Sequence, residues 1–362
     1  MKSQFRAILF LLLLPALMVG NNDKFKGKYT KEKTLKKEYT VNSNATLEID
    51  NSYGNVDVVS WNENRTVIEV TIRTNGNNEE RVQKKLDDID VDFSGSASRV
   101  SAKTRFNGKK NSSWSWFGNN NKNVSMEINY TIKVPVTNSV DLSNDYGSIS
   151  LNRIEGRAKI NCDYGQLIIG ELMGENNDLN FDYTKNSTIS YMKSGKINAD
   201  YSGFTLDKAD RLDLNADYSK SEIIDVTDLN YNCDYGRITV NKVNNLVGQG
   251  DYIPCDVGAL SGSLDINADY GSITVDRITS SAGDVEIQSD YTRIKVGFDS
   301  GYNFDFVVNL QYGSLKGQES VNISHQSKSG SDKKYSGYHG SKGSGNTVNI
   351  NSEYGGVTFS NH

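Results

Sequence analysis

The sequence predicts an all-β chain: a β-solenoid (single-stranded β-helix) of about 17–21 residues per rung, preceded by a β-rich region with one short helix. Three observations carry that prediction. A tyrosine-centred phrase recurs along the chain, apolar and polar residues alternate on both sides of it, and the alternation changes parity at the tyrosine. The phrase reads NSYGNVDV at Tyr53, NDYGSISL at Tyr146, CDYGQLII at Tyr164 and ADYGSITV at Tyr270. Variants of it occur at Tyr183, Tyr201, Tyr218, Tyr235, Tyr252, Tyr291, Tyr312 and Tyr354. From Tyr146 to Tyr312 the steps are 18, 19, 18, 17, 17, 17, 18, 21 and 21 residues. A near-constant period of this size marks a stack of supersecondary units.

Within one unit, Leu264, Ile266, Ala268 and Tyr270 share one parity, and Ile273 and Val275 take over after Gly271. Alternation of period two is the mark of a half-buried strand, and its switch at Tyr-Gly marks a corner. By that parity the tyrosines Tyr146, Tyr164, Tyr183, Tyr201, Tyr218, Tyr235, Tyr252, Tyr270 and Tyr291 point inward as a buried ladder. Small residues two positions earlier, such as Cys162, Ala199, Ala216 and Ala268, leave room for the rings.

Ahead of the rungs, residues 1–20 have the layout of a secretory signal. Lys2 and Arg6 precede an apolar run from Ala7 to Val19, shorter than the roughly 20 residues a membrane span requires. Residues 21–39 are lysine-rich and read as a basic linker, with contact to anionic envelope polymers as the other reading. Residues 40–137 form the N-terminal β region. Inside it NNEERVQKKLDDID is the one helix, with Asn77 or Asn78 as its cap. The solenoid occupies 138–362, and a Gly/Ser/Lys-rich excursion at 324–346 is expected to replace about one rung. DYIPCDVG is the one candidate break inside the stack.

Composition narrows the function. A net charge of −5 lacks the basic footprint that nucleic acid requires. The three histidines, His325, His339 and His362, all fall in the tail or its excursion, so a histidine triad or zinc site has little material. Cys162 and Cys233 are expected as free apolar fillers, four rungs and about 19 Å apart at the rung spacing.

The run LEIDNSYGNVDVVSWNENRTVIEV, then a strand ending in VP, then DYGSI-type turns, resembles the DUF4097 family of adhesin-like exported bacterial proteins, many of them from Bacteroidetes. The resemblance covers roughly residues 40–360. It implies a β-helical fold and a cell-envelope setting, and it supplies no catalytic residues.

Three features remain as candidate sites. An aspartate precedes the tyrosine in rung after rung, and the members Asp200, Asp217, Asp234, Asp251 and Asp269 have two readings. Either each carboxylate caps backbone N–H groups of its own corner, or the row holds Ca²⁺ between rungs. Asn161, Asn180, Asn198, Asn215, Asn232 and Asn267 form an outward amide row whose members bond each other or meet a sugar. Trp114, Trp116 and Phe117 either cover an end of the stack or contact a ligand. No catalytic residue and no cofactor is assigned. The expectation is a non-catalytic, exported module, located in the periplasm, on the outer surface or outside the cell. Its partner would be an envelope or surface protein, a glycan, or a second copy. A β-helical polysaccharide-active enzyme and an envelope-stress sensor component stay open as alternatives.

Overall fold

The structure is a computed structural model that describes residues 25–107 and 124–362. The signal at 1–20 and the aromatic cluster Trp114, Trp116 and Phe117 lie outside the described residues. The chain forms two compact units, Met1–Gly174 and Glu175–His362.

The first unit contains β1 (Tyr29–Thr40), β2 (Thr46–Ser52), β3 (Val56–Trp61), β4 (Arg65–Gly76), α1 (Glu79–Asp87), β5 (Ile89–Gly95) and β6 (Arg99–Phe106). It continues with β7 (Val124–Pro135), β8 (Ser139–Asp145), β9 (Ile149–Ile154), β10 (Ala158–Asp163) and β11 (Leu167–Leu172). Its rungs stack in parallel: β2 lies between β6 and β8, and β3 between β7 and β9. The ladder continues from β8 to β10 and from β9 to β11. The Asn78 side chain accepts the Arg81 N–H at 2.9 Å, which fixes the start of α1, and Val82 and Leu86 bury one face of that helix.

The basic linker expected at 21–39 is corrected by β1, which pairs antiparallel with β4 from Tyr29↔Gly76 to Thr40↔Arg65. Its lysines do not keep it in solution because the neighbouring elements supply acids. Lys31 meets Glu79 at 2.7 Å, Lys36 meets Glu69 at 3.4 Å, and Glu32 accepts from Arg73 at 2.6 Å. Each exposed pair contributes little alone; together they remove the repulsion that would oppose the strand.

The second unit contains β12 (Asn177–Asn180), β13 (Ser187–Asn198), β14 (Gly203–Asn215), β15 (Lys220–Asn232), β16 (Arg237–Gln249), β17 (Pro254–Leu260), β18 (Leu264–Asn267) and β19 (Ser272–Ile278). It ends with β20 (Val285–Asp290), β21 (Arg293–Phe298), β22 (Phe304–Gln311), β23 (Leu315–Lys316), β24 (Asn322–Ser329), β25 (Asp332–His339), β26 (Thr347–Glu353) and β27 (Val357–Asn361). Rungs align in register, so one interior column runs Leu212, Leu229, Leu246, Leu264, Val285. Along β14 the buried positions are Phe204, Leu206, Ala209, Leu212 and Leu214. Parity therefore slips twice within a rung, at two bends, besides the tyrosine corner.

The DYIPCDVG segment is not a break, because Ile238, Cys255 and Ile273 stay in register through it. Just ahead of it, in β16, Gly248 is needed for space, since a Cβ there would lie 2.2 Å from the buried Tyr231 ring. Cys162, Cys233 and Cys255 are free and buried, and burial pushes the first two thiols up to about 12.

The expectation that 324–346 replaces a rung is also corrected. Most of it is a hairpin, β24–β25, whose second strand pairs antiparallel with β22. The rung that follows the hairpin, β26–β27, does not sit at the end of the stack. It lies between the rung of β20–β21 and the rung of β22–β23, in parallel with both.

Candidate functional site

The tyrosine corner is the feature that every rung shares, and it is built from backbone first. Every tyrosine of the phrase has a positive φ, from 51° at Tyr201 to 67° at Tyr53. This left-handed conformation costs an L-residue about 1–2 kcal/mol. Backbone bonds hold it. The N–H of Tyr201 donates to Asp217 O of the next rung at 3.0 Å, Tyr218 to Asp234 O at 2.9 Å, and Tyr235 to Asp251 O at 3.1 Å.

The left-handed turn overturns the inward ladder. Alternation assigns faces only while the backbone stays extended, and a residue at φ near +55° swings its Cβ to the other side. From Tyr146 onward the rings are 46–61% exposed. The stacking itself is present, on the outside. In the second unit Tyr183, Tyr201, Tyr218, Tyr235, Tyr252, Tyr270, Tyr291, Tyr354 and Tyr312 follow one another at centroid distances of 4.6–5.1 Å. Their planes lie within 7° of parallel. In the first unit Tyr53, Tyr146 and Tyr164 stack at 5.2 and 5.1 Å, and Phe106 closes the free face of Tyr53 edge-on at 6.1 Å. Between the ends of each stack, ring faces are thus consumed by neighbours, and what remains in water there is a line of ring edges and hydroxyls. Desolvation first, then the neighbouring tyrosines, raises the pKa of the Tyr235 and Tyr270 hydroxyls, which therefore stay protonated donors at neutral pH.

Beside each ring is the aspartate. Its carboxylate caps a backbone N–H, but that of the next rung instead of its own corner. Asp217 N donates to Asp200 Oδ1 at 3.2 Å, Asp234 N to Asp217 Oδ1 at 2.9 Å, and Asp251 N to Asp234 Oδ1 at 2.7 Å. Asp269 and Asp290 continue the series onto Asp251 and Asp269, at 3.2 and 2.7 Å. The rows are therefore stitched twice at the corner, by tyrosine N–H in one direction and aspartate N–H in the other. Among the described residues no Lys or Arg pairs with Asp200, Asp217, Asp234, Asp251 or Asp269, whereas Asp256 and Asp299 elsewhere bind Arg237 and Arg277. In the first unit, desolvation and then the neighbouring Asp163 raise the pKa of Asp145. Among the described residues, no group of three or more His, Cys, Asp or Glu is placed to hold a metal ion.

The residue after the tyrosine completes the corner. Where it is Ser219 or Thr292, the hydroxyl donates to the aspartate carbonyl two residues back, at 2.9 and 3.0 Å. Where it is Gly271, a Cβ would sit 2.1 Å from Ile253 O. The amide row also forms in part: Asn215 Nδ2 donates to Asn198 Oδ1 at 3.0 Å, and Asn198 donates in turn to Asn180. A surface cavity of about 360 Å³ beside the hairpin gathers Asp332, Lys333, Lys334 and Glu353. Lys333 is spent there on Gly313 O at 2.6 Å, and Asp332 on Gln311 at 3.1 Å. The tyrosines share the parity of the apolar residues before them, so alternation alone assigns them inward. The signal that could have found them was the parity switch, which falls on the tyrosine itself.

No family model matches this chain, and no curated protein matches it. Among solved structures, a "putative adhesin" from Parabacteroides merdae is 10% identical with a TM-score of 0.31, over 90% of this chain and 95% of that one. A "putative adhesin" from Parabacteroides distasonis is 9% identical with a TM-score of 0.29, over 91% and 97%. A "putative cell adhesion protein" from Clostridium sporogenes is 10% identical with a TM-score of 0.21, over 92% and 100%. Among the described residues no helix is long and apolar enough to cross a membrane.

Proposed function

We propose that the chain is a non-catalytic, exported interaction module of the cell envelope or surface, and that the tyrosine ribbon is its working face. One observation carries the reading: nine stacked rings in a row in the second unit, each about half in water. Scattered exposed aromatics are ordinary, but a contiguous exposed aromatic strip marks an interaction site. Because the same chemistry repeats in every rung, the strip suits an extended partner laid across successive rungs. It does not suit a reaction, which needs groups converging on one point. The partner is a glycan or a protein segment long enough to span several rungs. Ring edges offer apolar contact and the hydroxyls offer hydrogen bonds.

The test compares the wild-type chain with a variant carrying Tyr218→Ser, Tyr235→Ser and Tyr252→Ser. Both are applied to a glycan array and to pull-down from an envelope extract, with circular dichroism as the check on folding. Capture that falls at least tenfold in the folded variant supports the reading, and capture that is unchanged overturns it.

A further inference from the structure

The order of the last rungs in space is not their order in the chain. Tyr354 stacks on Tyr291 at 4.6 Å and on Tyr312 at 4.7 Å, so the rung reached last is wedged between two that precede it. β26 has β20 on one side, through Val285↔Val348 and Ile287↔Ile350, and β22 on the other, through Phe306↔Val348 and Val308↔Ile350. β27 likewise lies between β21 and β23. β20 and β22 do not pair with each other in this arrangement. Without β26–β27 the two flanking rungs would face each other across a slot one strand wide, with unpaired N–H and C=O groups on both walls.

The slot is specific in register as well as in width. Val348, Ile350, Val357 and Phe359 are at most 2% exposed, and Phe359 meets Phe298, Phe304 and Phe306 edge-on at 6.0, 6.4 and 5.6 Å. A one-residue slip would turn this set out to solvent and bring polar residues inward. The segment that feeds the slot is Gly340–Asn346, where Gly340, Gly343 and Gly345 all have positive φ. A Cβ at Gly343 or Gly345 would meet nothing within 4 Å. The bonds that hold this hinge all go to Asn303 and Asp305: Ser341 N on Asn303 Oδ1 at 2.9 Å, Gly343 N on the Asp305 carboxylate at 3.0 Å, Asn346 Nδ2 on Asn303 O at 3.2 Å, and Asp305 N on Asn346 O at 3.0 Å.

We propose that β26–β27 is an exchangeable strand pair, and that the slot of one molecule accepts β26–β27 of a second copy to give a strand-swapped dimer. All the slot contacts are the same in the swapped form, and only the hinge changes path, which is why such exchange is cheap. The second copy is the fitting occupant because it presents the same alternation and the same Phe359 to the same two edges. The inference rests on strand order and stands apart from the tyrosine ribbon.

Cross-linking in trans tests it. Ser289 and Ser352 are register partners whose hydroxyls lie 3.3 Å apart, so cysteines there are within disulfide reach. A full-length Ser289→Cys chain and a full-length Ser352→Cys chain are co-refolded at high concentration and oxidised with glutathione disulfide. A covalent dimer in the mixture, absent from either chain alone and increased several-fold by deleting Lys342–Ser344, is the expected result. The reference is one chain carrying both cysteines, which closes its bridge in cis. A mixture that stays monomeric while this reference closes overturns the proposal. If the buried pair disturbs folding, Glu286→Cys with Asn349→Cys, register partners on the outer face, decides the same question by the same readout.

Discussion

Two lines of residues run through the same rungs of the second unit and repeat with the same period. The inner one, Leu212, Leu229, Leu246 and Leu264, is 1–2% exposed. The outer one, Tyr201, Tyr218, Tyr235 and Tyr252, is 47–50% exposed and in the left-handed conformation. Equal regularity in sequence therefore hides unequal roles in the fold. The inner line gains full burial on an unstrained backbone. The outer line gains half of that, adds ring stacking of about 0.5–1.5 kcal/mol per pair, and gives back about 1–2 kcal/mol to the turn. The net gain per residue is therefore smaller on the outer line than on the inner one.

The largest effect that sharpens this contrast is on the inner line. Leu229→Ala should cost about 2–5 kcal/mol, the range for a buried leucine in a column that cannot collapse around one missing side chain. Urea denaturation of the purified chain measures it, and a loss below about 1 kcal/mol would show that the rungs yield. On the outer line, Tyr235→Ala should cost about 2 kcal/mol, roughly half the 3–5 kcal/mol of a fully buried aromatic. The same measurement breaks the contrast if the two substitutions cost the same.

That smaller figure also shows where the sequence was legible. The fold class, the rung period, the helix capped by Asn78 and the row of paired amides at Asn198 and Asn215 follow from local signals: periodicity, a capping residue, repeated side chains. The facing of the tyrosines does not. It depends on one backbone angle per rung, and that angle is set by N–H groups whose acceptors lie on the neighbouring rung, about 17 residues away. The strand β1 was hidden for the same reason, because the acids that neutralise its lysines come from β4 and α1. The wedged rung of Tyr354 was hidden most deeply, since nothing local distinguishes a rung that extends the stack from one that enters it.

The aspartate row gives the next smaller effect. Asp234→Ala removes the acceptor for the Asp251 N–H and should cost about 1 kcal/mol, the net value of such a bond. Asp234→Asn keeps a side-chain oxygen for that N–H and removes one charge from between Asp217 and Asp251, which like Asp234 pair with no Lys or Arg among the described residues, so it should change stability by only a few tenths of a kcal/mol. Melting curves with and without added calcium are expected to coincide for both variants and the parent. A calcium-dependent rise in the parent that Asp234→Asn abolishes would show that the row binds metal.

The finest distinction is one of sign. At an ordinary strand position glycine is worse than alanine by about 0.5–1 kcal/mol, because it has more freedom to lose. At Tyr235 the order should invert. Both substitutions remove the ring and its stacking contacts with Tyr218 and Tyr252, so that loss cancels in the comparison. What differs is the backbone: alanine keeps a Cβ at φ 55° and bears the left-handed penalty, whereas glycine does not. Tyr235→Gly should therefore be the more stable of the two by about 1 kcal/mol. Making the same pair at Tyr231, a buried tyrosine within β15, supplies the ordinary order as the control. If glycine proves worse than alanine at both positions, the tyrosine corner is not strained, and the ribbon needs no explanation beyond its own stacking.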